Sequence, residues 1–378
     1  MLLVLYLPAP SAIFFLLNRM KFCASALSRF DEGLAQHTVL MTPTIVFAVS
    51  AAIVVVAGSW LARFGDQIAE LSGLGRLWIG VVLVAGATSL PEVITDISAA
   101  RLGAPDLAVG DLFGSNMANM LILGLIDMIH RQKRIWQQTA YEQTLIATLA
   151  MGLTGLAGAF MMFNGGSGHG GLGLDTALLI TIYLLGMRVV YRQEDVRRCQ
   201  KELEQVVEAG EGSVGVEQRR ARLKRACVGF ALAALGIVLA APHLASSAKD
   251  LAEQTGIGAT FVGTSLLALT TSLPELVTAL AAVRLGAFDL AVGNLFGSNA
   301  FNMAALFIVD MAYRQGPLLS VVSSTHVLTA LWSILLMNVG LMGIIYRAEK
   351  RFLLIEPDGL LMIVGYVLGM WLLFQIGG

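Results

Sequence analysis

Charge is what this chain lacks. Only 13% of its 378 residues are Asp, Glu, Lys or Arg, against roughly 25% in an ordinary soluble domain. No surplus of either sign offsets the shortage, because 25 basic residues face 26 acidic ones and leave a net charge of −1. That arithmetic excludes a soluble globular enzyme, a disordered chain and a nucleic-acid binder with a basic face. Cysteine is scarce as well. Cys23, Cys199 and Cys227 have neither the pairing of a disulfide framework nor the spacing of a zinc site. The five histidines, His37, His130, His169, His243 and His326, are scattered, with no HExxH among them.

What the chain has is apolar length. Hydrophobic residues make up 56% of it and mean hydropathy is +0.75. A spanning helix needs roughly 20 apolar residues, so about ten helices with short connections account for the chain. The runs are too long and too uniformly apolar for the alternating segments of a membrane β-barrel. The expected fold is therefore an all-α polytopic membrane protein. Apolar spans fall near 43–64, 74–100, 106–129, 143–163 and 174–191, and again near 226–245, 257–283, 289–312, 318–346 and 358–376.

Four segments follow from this pattern. Residues 1–41 form an extra N-terminal segment, apolar over 2–17 but broken by Pro8 and Pro10, without the basic start and cleavage site of a signal peptide. Residues 42–191 carry the first five spans and 226–378 the second five. Between them, residues 192–225 hold nine Lys/Arg and seven Asp/Glu and read as a charged cytoplasmic linker. With the first span starting outside, Arg131, Lys133, Arg134, the linker, Arg347, Lys350 and Arg351 all fall in the cytoplasm. The uncharged loop 164–173 falls outside with Arg101, Lys249 and Arg314. That asymmetry obeys the positive-inside rule. Five spans per half make any internal duplication an inverted one.

The duplication is there. A shift of 183 residues lays 86–128 on 269–311 without a gap, with 26 identities in 43 positions. Thr88-Ser89-Leu90-Pro91-Glu92 matches Thr271-Ser272-Leu273-Pro274-Glu275, and Gly114-Ser115-Asn116 with Asn119 matches Gly297-Ser298-Asn299 with Asn302. Inverted repeats with interrupted helices are the mark of secondary transporters, whose site lies at the repeat interface near the midplane.

Within each repeat a carboxylate, Glu92 or Glu275, stands in the middle of an apolar run. An acid there costs about 2.5–3.5 kcal/mol by insertion scales and by default marks a functional site. The proline before each glutamate frees backbone carbonyls near Val84 to Thr88 and Leu267 to Thr271. Hydroxyls of Thr88, Ser89, Thr271 and Ser272 stand beside them. Ser115 and Asn119 share one helix face, as do Ser298 and Asn302. All are hard oxygen donors, the set that suits Ca²⁺ or Na⁺ and not soft metals. Asn116 and Asn299 are expected to bond between helices, and the GxxxG steps Gly110/Gly114 and Gly293/Gly297 to allow close approach. Asp106 and Asp289 suit helix N-termini, and Asp127 and Asp310 sit near far ends close to solvent. Asp96 and Asp111 have no acidic counterpart, since Ala279 and Asn294 occupy their places; Asp111 is an accessory acid of the site.

These segments resemble the α-repeats of the sodium/calcium exchanger family, within the cation/Ca²⁺ exchanger superfamily. The family pattern is G-T-S-L-P-E followed by G-N-x-x-G-S-N-x-x-N or -D. Here Ala87 and Thr270 stand where the pattern has its first Gly, and Asp111 where it has Asn. The resemblance implies two inverted five-helix repeats and alternating access, while the short loops and the lack of a targeting signal lead us to expect an integral protein of a prokaryotic plasma (inner) membrane. The resemblance also implies Ca²⁺ and Na⁺ as transported substrates, with no cofactor, no enzymatic activity and no obligate protein partner. Carried over by position, Glu92 and Glu275 would be the main Ca²⁺ ligands, assisted by Thr88, Thr271, Asn119 and Asn302. Ser89, Ser115, Ser272 and Ser298 would line Na⁺ sites. The competing expectations are an H⁺-coupled or other divalent-cation exchanger and, more remotely, an intramembrane hydrolase. The hydrolase reading lacks its motif, since Gly171-Leu172-Gly173-Leu174-Asp175 is not Gly-x-Gly-Asp.

Overall fold

A computed structural model of the chain describes residues 42–61, 63–65, 67–68, 71, 85–129, 143–163, 168–169, 172–205, 216–284, 288–346 and 357–377. The expected segment 1–41, the start of the span at 74–100, and the basic groups Arg131, Lys133, Arg134, Arg347, Lys350 and Arg351 lie outside these residues.

Helix dominates, because apolar stretches in a membrane must satisfy their backbone polar groups internally. In chain order the helices are α1 Thr42–Gly65, α2 Ala85–Thr88, α3 Leu90–Arg101, α4 Pro105–Ile129, α5 Gln143–Met162, α6 Leu174–Gln205 and α7 Val216–Thr255. The second half continues with α8 Ala259–Val262, a π-helical turn Gly263–Leu267, α9 Ala268–Thr271, α10 Leu273–Arg284, α11 Phe288–Ala312, α12 Leu318–Val321, α13 Thr325–Tyr346 and α14 Pro357–Gly377. Among the described residues seven helices are long and apolar enough to cross a membrane, or eight if the bent pair 259–284 counts as one span. A short antiparallel hairpin, β1 Gly168–His169 with β2 Leu172–Gly173, is the only strand pairing among the described residues. It lies in the uncharged, glycine-rich loop 164–173.

The duplication persists in three dimensions. α3 and α10 both run 12 residues, α4 and α11 both run 25, and each second copy begins 183 positions after the first. The breaks coincide too. Ser89 (φ −86°, ψ 4°) and Ser272 (φ −85°, ψ 2°) leave helical geometry in the same way, because Pro91 and Pro274 lack the N–H that would continue the ladder. Across Ser272 the span bends by 42°. The second copy adds the π-helical turn, a local register change that often marks functional sites.

α4 and α11 pack together at the centre, and α5, α13 and α14 flank them. Gly114 sets one close approach: a Cβ there would run into the Thr264 backbone carbonyl of the π-helical turn, and one at Gly110 would lie 3.0 Å from the Thr260 carbonyl. The first GxxxG step thus presses α4 onto the broken span of the other repeat. α1 and α7 join this core only in part, through Val54 and through Ala240, Leu244, Ala245, Ala248 and Ala252. Ala57 and Leu61 meet Ala233, Ile237 and Ala241 in a separate small cluster over Leu90 and Ile94 of α3. The opposite face of α1 exposes Ile45, Val49, Ile53, Val56 and Trp60, an apolar stripe suited to lipid.

Two acids expected near solvent are buried. Asp310 is 1% exposed. It accepts from the Gly173 N–H (2.8 Å) and the Thr176 hydroxyl (2.6 Å) at the start of α6, and from the Leu318 N–H (2.7 Å) at the start of α12. Asp127 packs against Gly359 at the start of α14. A carboxylate is stabilised at helix N-termini, where unpaired N–H groups and the helix dipole favour negative charge. Each acid sits at the end of one repeat's central helix and holds the start of a helix from the other.

Candidate functional site

The two helix breaks meet in the interior. Thr88, Ser89, Thr271, Ser272, Glu275, Ser115, Ser298, Asn119 and Asn302 are all buried, and Glu92 is 1% exposed. Two turns of sequence place each glutamate: the serine that ends the first helical fragment and the proline that starts the next put the acid in the first turn of α3 or α10. There the N-terminal end of the fragment faces a negative charge, as helix dipoles favour.

Contacts run across the repeats. Glu92 and Glu275 are electrostatic neighbours. The Ser272 hydroxyl of the second repeat donates to Glu92 Oε1 (3.4 Å), and Thr88 and Ser89 of the first stand beside Glu275. Ser89 also donates to the Ser298 hydroxyl (3.2 Å). Each glutamate is thus lined by hydroxyls of the opposite half. Ser115 turns instead to Asp111 Oδ1 (3.5 Å). Thr271 donates to the same oxygen (2.9 Å) while lying close to the Leu267 and Ala268 carbonyls in its own helix (3.1 and 3.3 Å).

The asparagines form a ladder between α4 and α11. Asn119 Nδ2 donates to Asn299 Oδ1 (2.9 Å), and Asn302 Nδ2 donates to Asn116 Oδ1 (3.2 Å). Asn116 and Asn299 thus carry the interhelical bonding expected of them. The amide nitrogens are consumed by the neighbouring helix, and the oxygens of Asn119 and Asn302 are left without a partner.

Those two oxygens are part of a larger set. Glu92 Oε2 and both carboxylate oxygens of Glu275 are buried and lack a hydrogen-bond partner. A buried polar atom left unpaired costs roughly 1–3 kcal/mol, more if charged. Acceptors dominate the shortfall, which calls for a donor or a cation. Among the described residues no Lys or Arg is buried, so no side chain there supplies the positive charge. Nor do three Asp, Glu, His or Cys side chains converge on one point among those residues. The arrangement is two carboxylates completed by hydroxyl and amide oxygens, a donor set for a hard cation.

The structure also brings in an acid that sequence reasoning set aside. Asp96 is fully buried on α3, and its carboxyl group faces that of Asp111 on α4. Its spacing from Glu92, four residues along one helix, was the available signal. His326 is structural: its Nε2 lies 3.0 Å from Asp106 Oδ1, which also accepts from the Ser323 N–H (2.7 Å), tying the start of α4 to α13.

Comparison with known proteins bears on the family and the fold. The family described as "Sodium/calcium exchanger protein" matches residues 42–191 and 225–375. The inner membrane protein YrbG of Escherichia coli (strain K12) is 30% identical over 271 residues, covering 70% of this chain and 78% of that protein. A solved structure of the sodium-calcium exchanger NCX_Mj superposes with a TM-score of 0.55, at 19% identity, over 88% of this chain and 98% of that one. The crystal structure of the H⁺/Ca²⁺ exchanger CAX gives a TM-score of 0.64, at 14% identity, over 91% and 90%. At such identities the structural likeness concerns the fold, whereas the family match spans both halves of the sequence: the chain is an integral membrane protein that belongs to the sodium/calcium exchanger family.

Proposed function

We propose that this protein is a secondary active antiporter that exchanges Ca²⁺ for Na⁺ by alternating access. Its site is formed by Glu92 and Glu275 with oxygens of Thr88, Thr271, Asn119, Asn302, Ser89, Ser272, Ser115 and Ser298. The observation that carries the reading is the set of buried oxygens on both glutamates and on Asn119 and Asn302 that have no hydrogen-bond partner. Residues 42–191 and 226–378 act as the two inverted halves, and 192–225 as the cytoplasmic link between them.

The charge count explains why such a site exchanges rather than leaks. Two glutamates carry −2. An empty site crossing a low-dielectric core would bear that charge unpaired, at a cost of several kcal/mol per ion. One Ca²⁺ neutralises it, and Na⁺ ions do so in another way. The access change is then easy when the site is loaded and hard when it is empty, which couples the two fluxes. A second reading puts H⁺ in place of Na⁺, favoured by the additional buried carboxyls of Asp96 and Asp111, since carboxylates take a proton as well as a metal.

Proteoliposomes loaded with Na⁺ and diluted into Na⁺-free buffer test the two readings, with K⁺-loaded and acid-loaded controls. Ca²⁺ uptake that requires the Na⁺ load is expected. Uptake driven by the acid load alone would replace the first reading with the second.

A further inference from the structure

We infer that Asp111 is a positioning residue of the cage: it takes the hydroxyl hydrogen of Thr271, so that the Thr271 oxygen keeps its lone pairs for the transported cation. The inference rests on the reading of the cage as a Ca²⁺ site given above, and it holds whether Na⁺ or H⁺ is the counter-ion.

Asp111 is fully buried on α4, the helix that α9 packs against. Its Oδ1 accepts from the Thr271 hydroxyl at 2.9 Å and, at the edge of bonding distance, from the Ser115 hydroxyl at 3.5 Å. A hydroxyl has one hydrogen to give and two lone pairs to offer. Three acceptors compete for the hydrogen of Thr271. The Leu267 and Ala268 carbonyls of its own broken span lie at 3.1 and 3.3 Å, and Asp111 Oδ1 is nearer than either. Where that hydrogen points decides what the oxygen can do. Directed at Asp111, it leaves the lone pairs of Thr271 and both carbonyls unoccupied. Directed at a carbonyl, it uses up an oxygen of the kinked backbone. Directed into the cage, it sets a positive end against an incoming cation.

The acid is itself held. The Asp96 carboxyl on α3 hydrogen-bonds that of Asp111, and a bond between two carboxyls keeps one proton between them, which leaves Asp111 Oδ1 an acceptor. The second repeat has no such arrangement. Ala279 and Asn294 occupy the related positions. Asn294 is buried, yet neither its Oδ1 nor its Nδ2 has a hydrogen-bond partner, so it does not bond Thr88, the counterpart of Thr271. Thr88 stands beside Glu275 of the cage instead. Asp111 thus reaches across the repeat boundary to a threonine of the cage, and Asn294 does not reach back. The one-residue difference between the repeats goes with a difference in how their two threonines are oriented.

Equilibrium binding of ⁴⁵Ca²⁺ to the purified full-length chain tests this. Wild-type protein that binds no Ca²⁺ overturns the cage reading, and the role of Asp111 with it. If wild type binds, Asp111→Ala is expected to raise the half-saturating Ca²⁺ concentration about five- to tenfold, the worth of one hydrogen bond, with the number of ions per chain unchanged. Asp111→Asn keeps an acceptor oxygen and should stay within about twofold of wild type. The decisive arm repeats the alanine substitution in a Thr271→Val chain, which lacks the hydroxyl. There Asp111→Ala should cost less than about twofold, because a residue that acts through another has no effect once that partner is gone. Asp111→Cys, close to aspartate in size and only a weak acceptor, takes the place of alanine in both arms if the alanine chain does not fold. Unchanged Ca²⁺ affinity in the alanine chain overturns the proposal. So does an equal loss with and without the Thr271 hydroxyl, since Asp111 would then act through charge or packing.

Discussion

Asn119 and Asn302 show how one side chain serves structure and ligand at once. Each gives its amide nitrogen to the opposing helix and keeps its oxygen unpaired, so the bond that fixes the rotamer also aims the donor. Glu92 and Glu275 have less to hold them, and their burial without cationic partners means that they favour a bound ion over an empty site. This fixes the outcome of neutralising one of them. Glu92→Gln or Glu275→Gln removes half of the cage charge and is expected to cut Ca²⁺ transport by about 100-fold or more, as loss of one member of a buried charge pair costs about 2–5 kcal/mol. The ion-free variant should unfold at a temperature no lower than ion-free wild type, because a buried carboxylamide replaces a buried unpaired charge. Uptake of ⁴⁵Ca²⁺ and thermal unfolding in detergent check the two halves of the prediction, and normal transport by either variant would sink the glutamate assignment. The glutamates were legible in sequence because a charge within an apolar run needs no neighbour to be conspicuous. Asp96 was not, since its meaning depends on Asp111 facing it from another helix, and helical periodicity reports a face without reporting what lies opposite.

At the scale of elements, two prolines and two serines decide the architecture. Pro91 and Pro274 stop the helix ladder, and Ser89 and Ser272 absorb the break at nearly the same dihedral angles, so the repeat is visible in both sequence and backbone. The π-helical turn at Gly263–Leu267 had no such signal, because it arises from how α8 and α9 pack against α4 at Gly110 and Gly114. Asp310 was misplaced near solvent for a related reason: its position late in a span looks superficial until the starts of α6 and α12 close over it. Three donors converge on that carboxylate, and hydrogen bonds to a charged group contribute roughly 1.5–3 kcal/mol each. Asp310→Ala strands the Gly173 and Leu318 N–H groups, while the Thr176 hydroxyl keeps the Gly173 carbonyl as an acceptor (3.1 Å), and is expected to cost about 3 kcal/mol, read as a clear fall in unfolding temperature. Asp310→Asn keeps one carbonyl oxygen as an acceptor and should fall in between. An alanine variant as stable as wild type would show that water replaces the carboxylate there and that the latch contributes nothing.

Across the whole molecule, the two halves share one cage but not one charge. The cage carries one glutamate from each repeat, whereas Asp96 and Asp111 both belong to the first, so the acids at and beside the cage are distributed three to one. Under Na⁺/Ca²⁺ exchange the stoichiometry decides whether charge moves. Two Na⁺ for one Ca²⁺ would leave exchange electroneutral, whereas three Na⁺ for one Ca²⁺ carry one net positive charge across per cycle. A membrane potential then does work on each turnover, about 2.3 kcal/mol per elementary charge per 100 mV. Through the tenfold change that each 1.4 kcal/mol brings, that corresponds to a shift of roughly 50-fold in the Ca²⁺ ratio at equilibrium. Proteoliposomes clamped with K⁺ and valinomycin at potentials 100 mV apart, with the Na⁺ gradient held fixed, measure that ratio directly. A ratio that moves by this amount supports three Na⁺ per Ca²⁺. A wild-type ratio indifferent to potential would mean two positive charges exchanged for two, and would rule out a third Na⁺ in the cycle.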